Sequence, residues 1–446
     1  MGFSFVTQAG HAGRATAAAL AASALLAVAS PAWARIELGA PAGQAELTIG
    51  CMFPMTGRSG IYGRDSVGGM RVALAKLARE GNAPRLRILV EDDRSKASYA
   101  VRIADGFIHD DGARVLCGVV SSGVAQAVSG LAERRKMIFM GTDHASSRMT
   151  MEGFHRYYFR VSNDTRTSMA AGARYLADLQ KKEGWTRLAF IGADYDYGHV
   201  SWQDLETSLA ELGVRYQMVA QVWPKLYEPD YSVHIAALKK AEPEIIVAAL
   251  WGGDFNGFLK QAMSAGLTRG ARLANFDTGG NYDTLAVLEQ VPPKGLILSA
   301  RHHNNWPDTP RNRAFVEAFH AVEGRYPTYA AEGAYAGILA VAGAIRAAGG
   351  AADVEALVSA LEGLRLELPE DPEGFASHMD PATHQIVQMQ AIGEPVADTR
   401  FPPAKVMLGN WTVYRAEDLQ PSPDLVRRRR LQAAAPPMLA EPAYDP

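Results

Sequence analysis

Apolar and polar positions along this chain switch repeatedly between a two-residue and a helical period. Residues 46–53 (ELTIGCMF) form a β-rich apolar run that stops at Pro54. Val67, Met70, Leu74 and Leu77 then recur at three- and four-residue spacing, as one face of a helix requires. The cycle continues with a strand predicted over 86–90, a helix over 99–108, a strand over 114–120, a helix over 124–135 and a strand over 137–140. A second series predicts strands over 187–192, 215–222, 244–250 and 272–276, separated by helices over 200–212, 231–240 and 254–265. Short strands separated by helices predict right-handed βαβ units with parallel sheets covered on both faces. Two series, parted by the segment around 155–170, predict an α/β protein of two lobes. Past a strand over 295–299 the pattern turns helical, over 311–323, 329–348 and 354–361. No further full βαβ set follows, so this stretch is expected to return and complete one of the lobes.

The two ends differ from the body. Arg14 is the only charged residue in the first 34, and an alanine-rich apolar run over 15–29 leads to Ala32-Trp33-Ala34. That is the pattern of a secretory signal peptide with cleavage near Ala34, which predicts export to the periplasm. Cys51 does not read as a lipidation site, because Arg35, Glu37 and Glu46 separate it from the apolar run. From about residue 416, Pro421, Pro423, Pro436 and Pro437 flank the arginine run 427–430. The segment 416–446 therefore reads as a flexible tail with solvated charges.

Composition narrows the function. Of 446 residues, 48% are apolar and 21% charged, and the net charge is −3. This argues against long-range disorder and against a global basic field for nucleic acid. Two cysteines exclude a disulfide scaffold and a zinc site built on cysteine pairs. Cys51 and Cys117 both sit in strand-like runs, where they either pair or remain two buried thiols. The G-x-S-x-G, P-loop, G-x-G-x-x-G and H-E-x-x-H patterns are all missing. His302 and His303 are adjacent, so they diverge and make poor joint ligands; a surface or cleft pair is expected. His378 and His384 have no partner at ligand spacing. The sequence thus calls for a binding protein, not an enzyme, with no cofactor and no metal.

Positive signals lie where strands give way to helices, the place where open parallel sheets bind ligands. After the apolar run 114–120, Ser121-Ser122-Gly123 opens a helix; either hydroxyl caps it, or the same helix N-terminus holds a carboxylate. Met140-Gly141-Thr142-Asp143-His144-Ala145-Ser146 is a second junction, and Asn275-Phe276-Asp277-Thr278-Gly279 a third. Asp277 directly follows a buried strand, placed to meet a cation or to cap the next helix.

Several motifs in order carry a family resemblance. They are Pro54-x-Thr56-Gly57-x5-Gly63-x4-Gly68, Gly118-x3-Ser122 with Ala125 and Ala127, and Phe159-Arg160. Asp196-Tyr197-Gly198, Asp230-Tyr231-Ser232 and Leu259-Lys260-Gln261-Ala262 before Gly266-Leu267 follow. In this order and spacing the chain resembles the periplasmic leucine/isoleucine/valine-binding protein family, the type I solute-binding components of ABC importers. The resemblance spans roughly residues 46–415. It implies two Rossmann-like lobes with parallel central sheets joined by a multi-strand hinge. Lobe 1 would comprise 46–164, completed by about 301–385, and lobe 2 would comprise 165–300, completed by about 386–415.

The resemblance also implies roles. Ser122, with Ser121 beside it, would hold a ligand α-carboxylate, and Asp277 would pair with the α-ammonium. The Asp143 backbone carbonyl would also accept from that ammonium. Tyr62, Tyr197 and Trp251 would line the cleft. Ala145 departs from the pattern, since amino-acid binders usually carry Thr or Ser there; the adjacent Ser146 restores the hydroxyl if the register shifts by one. His144, His302 and His303 make the surroundings more polar than an aliphatic pocket requires. The implied function is capture of a small solute, an amino acid first, by a monomer that delivers it to a membrane permease and its ATPase. The alternatives are an aromatic or other small carboxylate or amide, or a periplasmic ligand-sensing module.

Overall fold

Hydrogen bonding between the apolar strands builds two separate sheets in the computed structural model, which describes residues 35–81, 83–292 and 295–434. The expected signal peptide, 1–34, and the chain beyond 434 lie outside the described residues. The first sheet contains β1 (Ile36–Gly39), β2 (Leu47–Phe53), β3 (Leu86–Asp92), β4 (Val115–Gly118), β5 (Ile138–Gly141) and β6 (Tyr158–Arg160). Their order is β1-β3-β2-β4-β5-β6, parallel except for the edge strand β1. The helices α1 (Gly60–Arg79), α2 (Ala97–His109) and α3 (Ser122–Arg135) form the crossovers. In β2, β4, β5 and β6 nearly every residue is buried, which is why these segments read as continuous apolar runs instead of alternating ones.

The chain then crosses to the second sheet through α4 (Thr165–Glu183), capped by Asp164, whose carboxylate accepts from the Thr167 N–H at 2.8 Å. The pattern predicts no helix here: α4 overlaps the boundary segment around 155–170 only at its start and continues to Glu183. Next come β7 (Arg187–Gly192), α5 (Asp196–Glu211), β8 (Gln217–Val222), α6 (Ser232–Lys240) and β9 (Ile245–Ala249). They are followed by α7 (Gly252–Ser264), α8 (Leu267–Gly270), β10 (Arg272–Asn275), α9 (Tyr282–Leu285) and β11 (Leu296–Leu298). The helices α10 (Pro310–Glu323), α11 (Tyr329–Ala348) and α12 (Val354–Leu361) return to the first sheet, where α11 lies along α1. The approach is close because Gly69 faces the Ala331 carbonyl; a Cβ there would collide with it. A small sheet of β12 (Arg365–Leu366), β13 (Ser377–Met379) and β14 (Ile386–Val387) follows. Finally β15 (Gln390–Ala397) and β16 (Val406–Tyr414) add antiparallel to β11, giving the order β16-β15-β11-β10-β9-β7-β8.

The crossings between lobes are bonded to one another. Arg160, fully buried, donates to Gln385 Oε1 (2.7 Å), Asp164 Oδ2 (3.0 Å) and the Ser146 carbonyl (2.7 Å). Asn163 donates to Gln390 Oε1 (2.8 Å), and Gln390 in turn donates to Ser299 Oγ (2.6 Å). Three passages of chain therefore form one hydrogen-bonded hinge. Cys51 and Cys117 are register partners on neighbouring strands β2 and β4, and they form a disulfide. Of the two fates left open by the sequence, pairing is the one realised.

The segment expected to be a flexible tail is ordered as far as it is described. Helices α13 (Ala416–Leu419) and α14 (Pro423–Ala434) bury Leu419, Leu425 and Val426. Pro423 opens α14, where its missing N–H is harmless. The arginine run is not one solvated cluster. Arg427 and Arg428 are exposed, but Arg429 is only 4% exposed because Glu152 and Asp204 both reach it.

Candidate functional site

The site forms where loops at the carboxyl ends of both sheets face each other. In the first lobe, β4 ends at Gly118, whose φ of +104° and close approach to the Met52 carbonyl (2.5 Å from an added Cβ) demand glycine. Val119 follows at φ +49°, a strained conformation for a β-branched residue, of the kind that clusters at binding loops. The turn delivers Ser121 as the N-cap of α3 and Ser122 as its first residue, both buried. Neither caps the helix: Ser121 makes no side-chain cap bond, and Ser122 Oγ accepts from the Ser146 N–H at 3.3 Å. The first turn of α3 thus presents its N–H groups and partial positive charge toward the cleft.

Val120, Ser122, Asp143, Ala145, Tyr195, Tyr197, Trp251, Arg301 and Tyr329 enclose a common cavity of about 10 Å³. That is about the least that one water needs and far too little for a solute, so the lobes must part to admit one. A roomier groove of about 470 Å³ lies between α1, α10 and α11, but it is open and far from these junctions. The structure therefore brings together five of the residues singled out in the sequence: Ser122, Asp143, Ala145, Tyr197 and Trp251. Asp277 stands directly behind Arg301 and Tyr197, and Ser121 flanks Ser122. Tyr62 lies one layer back, stacked on Tyr329 at 5.4 Å between centroids and donating to Asp283 Oδ2 at 3.1 Å. Ser146 is buried beside the site; its carbonyl serves Arg160, and its hydroxyl has no partner among the described residues.

Sequence reasoning missed Val120, Tyr195, Arg301 and Tyr329 of this lining, and Arg301 is the charged one. It follows β11 as Asp277 follows β10, so its signal was a lone cation just past a buried apolar strand. Its guanidinium forms a bidentate pair with Asp277, Nη2 to Oδ2 at 2.7 Å and Nε to Oδ1 at 3.1 Å. It also donates to the Asp143 backbone carbonyl and to Asp143 Oδ1 (3.1 Å). Asp277 accepts further bonds from Tyr197 Oη (2.8 Å) and Ser168 Oγ (3.0 Å), which saturates it. Burial opposes the charge on Arg301, yet the two aspartates hold its pKa well above the usual value. Burial pushes the Asp143 carboxyl up to about 7, with Arg301 lowering it and Asp277 raising it. Asp143 Oδ2 is buried and without a partner among the described residues.

The histidines do not join this site. His144 bonds Tyr158 Oη (2.7 Å) and the Val119 carbonyl (3.1 Å), behind the loop. His302 bonds Asn312, and His303 packs on Trp411; both are buried, contrary to a surface or cleft pair. Burial pushes their pKa values down, to about 3 for His144, 4 for His302 and 3 for His303, so all three are neutral. They are packing residues that satisfy local hydrogen bonds.

A family profile for periplasmic binding proteins matches residues 46–398. The "Leucine-, isoleucine-, valine-, threonine-, and alanine-binding protein" of Pseudomonas aeruginosa is 22% identical over 324 residues, 72% of this chain and 83% of that protein. Among solved structures, a solute-binding protein of an ABC transporter from Rhodopseudomonas palustris, in complex with 3,4-dihydroxybenzoic acid, has a TM-score of 0.73 at 21% identity. The match covers 83% of this chain and 97% of that one. An amino acid ABC transporter substrate-binding protein from Pseudomonas fluorescens has a TM-score of 0.72 at 22% identity, covering 86% and 98%. With the two-sheet architecture and the facing strand ends, the profile match over most of the chain places this protein in the periplasmic binding protein family, the type I group that includes the leucine/isoleucine/valine-binding proteins.

Proposed function

We propose that this protein is a periplasmic solute receptor, exported by removal of residues 1–34, that closes on a small organic acid and presents it as a monomer to the permease and ATPase of an ABC importer. The observation that carries the choice of solute is the Arg301 guanidinium. It occupies both groups that the family pattern reserves for an α-ammonium, the Asp277 carboxylate and the Asp143 carbonyl. A solute for this cleft needs no amine of its own. Its carboxylate would be held by Ser121, Ser122 and the uncapped first turn of α3, and its body by Tyr197, Trp251 and Tyr329. Charge-assisted hydrogen bonds of about 1.5–3 kcal/mol each, with apolar contact, suffice for micromolar affinity, near −8 kcal/mol. The absence of a hydroxyl at Ala145 agrees with this reading, as does the aromatic acid held by the R. palustris protein.

One observation favours an amino acid instead: Asp143 Oδ2 is buried and unpaired among the described residues, a ready partner for an ammonium. Titration calorimetry with benzoate, 4-hydroxybenzoate and leucine across pH 6–8 separates the two. An organic acid binds best while Asp143 is protonated, so its affinity should fall as pH rises through about 7. An amino acid should bind better as Asp143 ionises over the same window. In either case Ser122→Ala is expected to weaken binding at least ~tenfold, the loss of one charge-assisted bond, while stability falls by about 1–3 kcal/mol, because the buried Ser146 N–H loses its acceptor. Leucine binding that strengthens toward pH 8, with no response to benzoates, overturns the organic-acid reading.

A further inference from the structure

The C-terminal segment lies past the end of the family match at residue 398, yet it runs from one lobe to the other. It leaves β16 in the second sheet and is first fastened to lobe 2. Leu419 of α13 is fully buried, and the Asp418 carbonyl accepts from Arg174 of α4 through Nη2 (2.7 Å) and Nε (3.2 Å). Helix α14 then reaches the loops of lobe 1. Arg430 Nη2 donates to the carbonyls of Thr150 (3.1 Å) and Ala382 (2.9 Å), and its guanidinium lies 4.0 Å over the Phe154 ring. Between these anchors, Arg429 is bonded to both lobes at once. Its Nε pairs with Glu152 Oε1 at 2.7 Å, and its Nη1 meets Ser147 Oγ at 3.2 Å, both on the lobe 1 loop after β5. The same Nη1 pairs with Asp204 Oδ1 at 2.7 Å, on α5 of lobe 2.

Asp204 is itself an interlobe junction. Its Oδ2 accepts from Ser147 Oγ at 2.7 Å and from Thr165 Oγ1 at 2.6 Å. Burial raises the pKa of this carboxyl, and the Arg429 charge pulls it back down. The cluster holds a cation and an anion almost without exposure to water. A parting that carried α5 away from the loop after β5 would separate Asp204 from Ser147, and it would strip Arg429 either of Asp204 or of Glu152. Breaking a buried pair by removing one partner is costly, whereas the intact closed arrangement satisfies both charges.

We propose that α14 is a strap whose Arg429 biases the two lobes toward the closed arrangement, so that the C-terminal segment sets the closed fraction of the solute-free protein. Because the closed arrangement leaves no room for a solute, the apparent affinity for any cleft solute then scales with the remaining, open fraction. Small-angle scattering of the solute-free protein tests this independently of what the cleft binds. Arg429→Gln, and separately a chain ending at Ser422, are expected to increase the radius of gyration, while Arg428→Gln, an exposed neighbour, leaves it unchanged. Asp204→Asn, which keeps α14 docked on lobe 1, should open the protein in the same direction and covers the case in which Arg429→Gln does not fold. If neither the truncated chain nor Asp204→Asn has a larger radius of gyration than wild type, α14 is a structural appendage and the strap is refuted, whatever the solute proves to be.

Discussion

Arg301→Gln is expected to lower the unfolding free energy by about 3–5 kcal/mol, the usual cost of removing one partner from a buried ion pair. The loss arises from what is left behind. Asp277 keeps only Tyr197 and Ser168 as side-chain donors among the described residues, Asp143 loses its one side-chain partner there, and both carboxyls stay buried. Glutamine preserves much of the volume but supplies neither the charge nor the fork that spans both Asp277 oxygens. Urea denaturation of Arg301→Gln beside Asp277→Asn and the double variant apportions the effect. The double variant should recover much of the loss, because an amide pair needs no counter-charge. A single-variant loss below about 1 kcal/mol would mean that the pair contributes no more than a surface bridge. The same variant bears on function, since it frees the groups that Arg301 now occupies. If the cleft takes organic acids, benzoate binding should weaken; if leucine binding improves, Arg301 is what keeps ammonium groups out.

The second large effect concerns the Cys51–Cys117 disulfide, whose cysteines are 66 residues apart. A loop of that length removes enough unfolded-chain entropy to contribute about 4 kcal/mol in the chain-entropy account, with measured values more often about 2–4. Cys51→Ala with Cys117→Ala should therefore lower the stability of lobe 1 by that order, plus a smaller packing loss in its central strands. Thermal unfolding of the double variant, against wild type under non-reducing conditions, measures it. A melting temperature within about one degree of wild type would show that β2–β4 pairing alone holds these strands. The dependence also fits an oxidising compartment, where such a bond persists.

The sequence by itself determined the lobes, because buried parallel strands must be continuously apolar and their crossover helices must carry a periodic face. The strand over 187–192 and the helices over 329–348 and 354–361 emerge with the predicted bounds. Strand ends were legible too: Ser122, Asp143, Ala145, Tyr197 and Trp251 converge on one cavity since each follows a strand on the same edge of its sheet. What the local pattern could not supply was partnership across the chain. Arg301 and Asp277 form a pair only because β11 and β10 are neighbours, so neither residue announces the other. His302 and His303 looked available because adjacency says nothing about burial, which their surroundings decide. Arg429 looked solvated inside a run of four arginines; its two carboxylates lie 225 and 277 residues away in sequence. Local periodicity records what a segment buries, whereas ion pairing in a closed cleft depends on distant groups meeting in low dielectric. Only the tertiary structure brings those groups together.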